Sequence, residues 1–175
     1  MSFSPLINQL IIALKYLPGV GAKSAQRMAF HILQRNKDGG RQLAQILATA
    51  IAEVKNCKNG RTLSELEFCS LCSNPARDIS VLCIVETPAD ILAIEQTGSF
   101  RGQYFVLMGH LSPIDGIGPE QLGIDLLRAR LAAGTVREVI MATSTTIEGE
   151  TTAYYIAEIA KAYSNITVTR LALGM

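Results

Sequence analysis

Apolar residues in the first third of the chain recur three or four positions apart, as they do on one face of a helix. Ser4-Pro5 is a typical helix start, and the pattern that follows it predicts a helix ending near Tyr16. A proline- and glycine-containing turn comes next. The same spacing then predicts helices over residues 22–34 and 41–55, separated by polar and glycine residues.

Residues 56–78 lose this periodicity and are rich in Cys, Gly, Ser and Asn. Such a composition predicts an irregular module that is too small to bury a core of its own. We therefore expect the module to need a cross-link or a bound ion.

From residue 79 onwards, short apolar runs alternate with helical stretches, which is typical of a helix-covered and mostly parallel sheet. The pattern predicts an α/β chain in three parts: helical residues 1–55, the small module at 56–78 and a sheet domain at 79–175. The predicted strands are residues 81–85, 104–108, 138–142 and 166–171, and the predicted helices are residues 88–96, 122–132 and 150–162.

The composition of the 175 residues, with 49% hydrophobic and 18% charged residues, excludes a disordered chain, and no apolar run is long enough for a membrane span. We see no signal peptide, so we expect a cytoplasmic protein that does not bind membranes. The net charge of +1 hides a strong asymmetry. Residues 1–61 contain nine Lys or Arg and two acidic residues, whereas the remainder contains seven and thirteen. The basic end favours an anionic partner such as DNA, although solvated helix faces would also account for it.

The turn between the first two predicted helices has the chemistry of a phosphate site. Gly19 and Gly21 permit a tight turn, and the start of the next helix adds its positive dipole. Lys23 and Arg27, four residues apart, share one face of that helix. The alternative is an ordinary helix connection. A nucleotide-binding P-loop is excluded because its first glycine is replaced by Leu17 and a helix precedes the turn where a P-loop needs a strand.

The cysteines suggest a metal site in the small module. Cys69 and Cys72 have the two-residue gap that lets both thiolates bind one tetrahedral zinc ion. Cys57 supplies half of a second pair, but Gly60 stands where its partner would be. Cys83 lies in an apolar strand, where a cysteine is usually a small buried hydrophobe. A three-cysteine site and a set of buried thiols both remain open.

Three carboxylates follow predicted strands. Glu86 closes one strand, and Glu148 and Glu150 come shortly after another, so all three could meet around Mg²⁺ at one edge of the sheet. Simple surface acidity, or acids that stabilise helix N-termini, would also account for them. His31 and His110 have no catalytic partner that the sequence reveals.

Four stretches of the sequence resemble the RecR family of bacterial recombination proteins. They are residues 17–27 (LPGVGAKSAQR), 69–77 (CSLCSNPAR), 85–91 (VETPADI) and 107–119 (LMGHLSPIDGIGP). The resemblance covers nearly the whole chain and implies a helix-hairpin-helix DNA-binding segment, a four-cysteine zinc finger and a Toprim domain. It also implies a homo-oligomer, either a dimer or a tetrameric ring, that works with RecO and RecF to load RecA on single-stranded DNA.

The resemblance also implies roles for individual residues. Lys23 and Arg27, on the helix after Gly19 and Gly21, would contact the DNA backbone, and Cys57, Cys69 and Cys72 would hold zinc. Glu86, Glu148 and Glu150 match the acids with which related topoisomerases and primases bind Mg²⁺. In those enzymes the acids that Glu148 and Glu150 match belong to an Asp-x-Asp-Arg-Glu-Gly-Glu motif, whose two aspartates align with Ser144 and Thr146 here. The resemblance therefore implies a degraded metal site, and we expect a mediator without enzymatic activity.

Two departures from the family are visible. Gly60 replaces a zinc cysteine, and the sequence ends at residue 175, where similar proteins continue through a Pro-x-Gly-Gly segment. We interpret this end as a truncation or as a sign of an unusual oligomer. Two other functions remain as alternatives. One is a Mg²⁺-dependent DNA nuclease or strand transferase that uses the three glutamates, and the other is a protein-binding scaffold.

Overall fold

Three helices form the first of two compact units, which ends at Glu53; the second unit begins at Val54. The computed structural model describes residues 3–172. In the first unit α1 spans Pro5–Leu14, α2 spans Ala22–Arg35 and α3 spans Lys37–Glu53. These are the three helices that the apolar spacing predicts.

The third helix begins four residues earlier than predicted. Asn36 starts it, because its Oδ1 accepts a hydrogen bond of 3.0 Å from Gly39 N. Gly40 lies so close to α2 that a Cβ at this position would be 2.4 Å from Cγ2 of Ile32. The glycines that indicated a loop in the sequence therefore belong to the first turn of α3, where Gly40 permits close packing on α2 and Gly39 leaves room for the side chain of Asn36.

The second unit opens with the cysteine-containing module. Two short antiparallel strands, β1 (Lys55–Asn56) and β2 (Leu63–Ser64), precede a single helical turn, α4 (Ser70–Ser73). The module packs on the edge of the sheet that follows, where Val106 N donates a 2.8 Å hydrogen bond to Gly60 O.

The rest of the second unit is a four-stranded sheet with strand order β4-β3-β5-β6, and all three strand pairs are parallel. The prediction of a mostly parallel sheet is confirmed. Its elements are β3 (Asp78–Val85), α5 (Pro88–Glu95), β4 (Gly102–Val106), α6 (Ile124–Ala132), β5 (Glu138–Ala142), α7 (Ile147–Ala160) and β6 (Thr167–Arg170).

Side chains of the central strands fill two apolar clusters. Leu82 and Ile84 of β3 belong to one cluster with Phe105. Cys83 and Val85, the alternate residues of the same strand, belong to the other. Because successive side chains of a strand point to opposite faces, the sheet is buried on both sides, as parallel sheets usually are.

The helix α7 starts three residues before the predicted position. Thr146 caps it, since its Oγ1 accepts a 3.1 Å hydrogen bond from Gly149 N. Glu148 and Glu150 therefore lie in the first turn of a helix. Within residues 3–172, no helix has the length and apolar character needed to cross a membrane.

Candidate functional site

The turn between α1 and α2 is built by glycine conformation and two backbone hydrogen bonds. Val20 N donates to Leu17 O at 3.2 Å, and Gly19 adopts a φ of +79°, which favours glycine. Gly21 is extended and immediately precedes α2, whose first interior hydrogen bond runs from Ala25 N to Gly21 O at 2.9 Å. The turn thus presents the start of α2 to its surroundings.

The surface around this turn is open and basic. A Cβ built on Gly19 or Gly21 would meet no atom of residues 3–172 within 4 Å. Lys23 and Arg27 are exposed on α2, and the first turn of this fully described helix contains no acidic residue. Exposed cations beside a helix N-terminus are suited to holding a phosphate group. The structure therefore brings together the four residues predicted for DNA contact.

The three predicted metal ligands also lie together. The sulfur atoms of Cys57, Cys69 and Cys72 all lie within 4.8 Å of one another. Two backbone amides donate to Cys57 Sγ, one from Gly60 at 3.4 Å and one from Cys69 at 3.2 Å. Burial opposes ionisation of this thiol, but the backbone hydrogen bonds outweigh it and lower the pKa of Cys57 to about 7. Cys57 is therefore held closer to the thiolate, the form that binds metals, whereas burial and the neighbouring Cys69 and Cys57 raise the pKa of the Cys72 thiol to about 12.

The arrangement fits a zinc ion with three protein ligands. Thiolates at tetrahedral positions, each about 2.3 Å from zinc, lie about 3.8 Å apart, a spacing that the cluster allows. Cys83 is buried in β3, and burial raises the pKa of its thiol to about 12. Within the described residues, the group of potential ligands around Cys57 contains Cys69 and Cys72 and no fourth member.

The three glutamates at the sheet edge have separate partners. Glu86 accepts a 3.0 Å hydrogen bond from Ser144 N, and its Oε2 lies 3.7 Å from His110 Nδ1. Glu150 is paired with Arg170, and Glu148 is exposed. Within residues 3–172, the cysteine cluster is the one group of three or more potential ligands that come close together. The convergence of the three carboxylates on one ion, which the sequence left open, is absent from the described structure.

Comparison with known proteins gives a consistent result. A family model described as "RecR, helix-hairpin-helix" matches residues 7–51, and a Toprim domain model matches residues 80–172. The Recombination protein RecR of Saccharophagus degradans is 56% identical over 173 residues, which are 99% of this chain and 87% of that protein. The chain belongs to the RecR family. The resemblance noted in the sequence is thereby confirmed.

No local pattern in the sequence of this RecR-family chain marks Arg61 as structurally important. Its guanidinium donates to backbone carbonyls of Val106 (3.1 Å), Leu107 (3.0 Å), Gln121 (3.1 Å) and Leu122. All four acceptors belong to the Toprim part of the chain. The hydrogen bonds of Arg61 thus hold the cysteine module against the Toprim part.

Gly60, which follows Cys57 at the spacing that Cys72 has from Cys69, is closely packed. A Cβ here would lie 3.0 Å from Tyr104 O and 3.1 Å from Cys72 Sγ. The backbone at position 60 thus lies close to both the sheet and Cys72, and it leaves little room for a side chain.

We expect Gly60→Ala to lower the free energy of unfolding by about 1–2 kcal/mol, because backbone must shift to admit the methyl group. Urea denaturation of the reduced, metal-free chain would measure the loss. Gly21→Ala is the matched control, since Gly21 has a φ of −84° and nothing in residues 3–172 within 4 Å of its Cβ position. Equal stability of the Gly60→Ala variant and the parent chain would show that the close contacts relax without cost.

Proposed function

We propose that this chain is a DNA-binding mediator of recombinational repair, which acts in the cytoplasm with RecO and RecF to load RecA on single-stranded DNA. The observation that carries the proposal is the 56% identity to a recombination protein over 99% of the chain. The helix-hairpin-helix and Toprim matches, in that order along the chain, support it further.

DNA would bind at the turn before α2. Lys23 and Arg27 would pair with phosphate oxygens, and the backbone at Gly19 and Gly21 is open enough for a phosphate to approach. Such contacts carry no sequence information. Binding should therefore be independent of sequence and should weaken steeply as salt rises.

The cysteine cluster would hold zinc. Cys57, Cys69 and Cys72 would be its protein ligands, and the ion would cross-link the β1–β2 end of the module to α4. A module of this size has little core of its own, so the zinc cross-link would stabilise it in addition to the hydrogen bonds of Arg61.

The acidic edge of the Toprim sheet would serve as a docking surface for a partner protein. Glu148 is exposed, and Glu86 and Glu150 are engaged by Ser144, His110 and Arg170 rather than gathered around an ion position. This arrangement supports partner recognition over the nuclease or strand-transferase alternative.

Self-association would occur through α3. None of its 17 residues, all of them in the described part of the chain, is buried. Its first turn packs on α2 at Gly40, but residues 41–53 are all exposed, and a helix with so little of its surface covered is only marginally stable in water. A second copy of the chain would provide one and would build the dimer or ring.

Lys23→Ala should weaken DNA binding about 3- to 10-fold on every sequence and reduce the slope of log affinity against log salt by about 1. Fluorescence anisotropy with labelled oligonucleotides across a salt series measures both quantities. Lys161→Ala is the control, because it removes an exposed cation at the end of α7 that is paired with Glu158 and lies outside the proposed DNA site. Equal effects of the two substitutions would remove the turn from the DNA site.

A further inference from the structure

A partly buried guanidinium lies beside the cysteine cluster. Arg130, on α6, donates from Nη1 to the carbonyls of Asn59 (3.0 Å) and Tyr104 (2.9 Å) and from Nη2 to Gln103 Oε1 (2.7 Å). Asn59 is part of the loop between Cys57 and Gly60. Arg130 therefore ties the loop that carries the first thiol to the sheet.

Gln103 extends the same network to the other side of the cluster. Its Nε2 donates to the backbone carbonyl of Cys72 at 3.3 Å. Arg130 and Gln103 thus bridge the loop that carries Cys57 and the helix α4 that carries Cys72. Partners of this kind orient metal ligands and commonly change metal affinity 10- to 100-fold when they are removed.

Charge gives Arg130 a second role. Three thiolates and a divalent cation together leave one negative charge, and a buried charge needs a partner of opposite sign. The guanidinium of Arg130 bonds directly to Asn59, two residues from Cys57, and through Gln103 it is linked to the backbone of Cys72. Because position 60 supplies no fourth thiolate, the single positive charge of Arg130 equals in size the net charge of a three-thiolate site.

We propose that Arg130, supported by Gln103, is a positioning residue of the metal site, which holds the ligand loops in place and balances the charge of a three-thiolate centre. The proposal rests on zinc binding by Cys57, Cys69 and Cys72. It explains how this chain can retain a metal site although Gly60 replaces a ligand.

The test is the Zn²⁺ affinity of the full, reduced chain, measured by competition with a chromophoric chelator. Arg130→Met keeps an apolar stem but removes the charge and the hydrogen bonds, and we expect binding to weaken 10- to 100-fold. Arg130→Lys keeps the charge and should bind Zn²⁺ more tightly than Arg130→Met but more weakly than the parent chain. Absorption by Co²⁺ in the same variants reports whether the thiolates still bind the ion.

Arg77→Met is the control for the general effect of removing a partly buried arginine from this part of the chain. The side chain of Arg77 is 10% exposed, and it also donates to a carbonyl of β4, at Gly102 O (3.2 Å), while its charge is paired with Glu95. Its removal should lower stability without changing Zn²⁺ affinity. If Arg130→Met does not fold, Gln103→Glu provides a second probe, because a carboxylate would cancel the charge of Arg130 and should weaken Zn²⁺ binding about tenfold.

Two outcomes would overturn the role of Arg130 and leave the zinc site in place. The first is that the Arg130→Met and Arg77→Met variants bind Zn²⁺ equally well. The second, which applies if Arg130→Met cannot be tested, is that Gln103→Glu leaves the Zn²⁺ affinity unchanged. A parent chain that binds neither Zn²⁺ nor Co²⁺ would overturn both proposals. DNA binding by the turn before α2 is measured separately and depends on neither result.

Discussion

Replacing Arg61 with Met is expected to lower the free energy of unfolding by about 3 kcal/mol. Its guanidinium donates to four backbone carbonyls of the Toprim part, and hydrogen bonds from a charged group contribute about 1.5–3 kcal/mol each before mutual dependence is considered. The guanidinium also lies 5.8 Å from the ring centroid of the buried Phe105, which adds a cation–π contribution. Methionine retains an apolar stem but leaves these carbonyls without their donor.

Urea denaturation followed by circular dichroism would measure this loss, and hydrogen exchange would show the cysteine module opening first. Arg101→Met is the matched control because Arg101 is exposed; surface substitutions of this kind usually change stability by less than about 0.5 kcal/mol. Similar unfolding curves for the two variants would show that the module is held by its apolar contacts alone.

Local patterns predict most of the fold. The helical and strand periodicities locate all three N-terminal helices and the four strands of the sheet, because each element has to bury one face or both. The start of α3 could not be predicted in this way. Gly39 and Gly40 indicate a loop by composition, and the close approach of Ile32 that makes Gly40 suitable for a helix is a tertiary contact.

In the candidate sites, too, local sequence patterns predict some features, whereas others depend on contacts between distant parts of the chain. The spacing of Cys69 and Cys72 suggests a metal pair, and the structure places Cys57 with them. Arg130 joins Asn59 across 71 positions of sequence, and no local pattern marks an arginine on a helix as the partner of a distant loop. The neighbourhood of His110 and Glu86 depends in the same way on the fold, because their loops meet at one edge of the sheet.

Replacing Leu43 and Leu47 together with Glu should dissociate the oligomer that we propose to form through α3. Both side chains belong to the apolar face of α3 and are 55% and 54% exposed in the single chain. Burying unpaired carboxylates costs several kcal/mol, so the dissociation constant should rise at least about 1000-fold. Sedimentation velocity over a range of protein concentrations would measure the change. Glutamate is a good helix former, so α3 itself should tolerate both substitutions.

Gln45→Glu combined with Ala52→Glu is the matched control for this experiment. It adds the same two charges to α3, but positions 45 and 52 lie on the opposite side of the helix from Leu43 and Leu47. If α3 packs through its apolar face, the control keeps the association state of the parent chain. If both double variants dissociate to the same extent, or if neither does, the apolar face of α3 is not the surface through which copies of the chain meet.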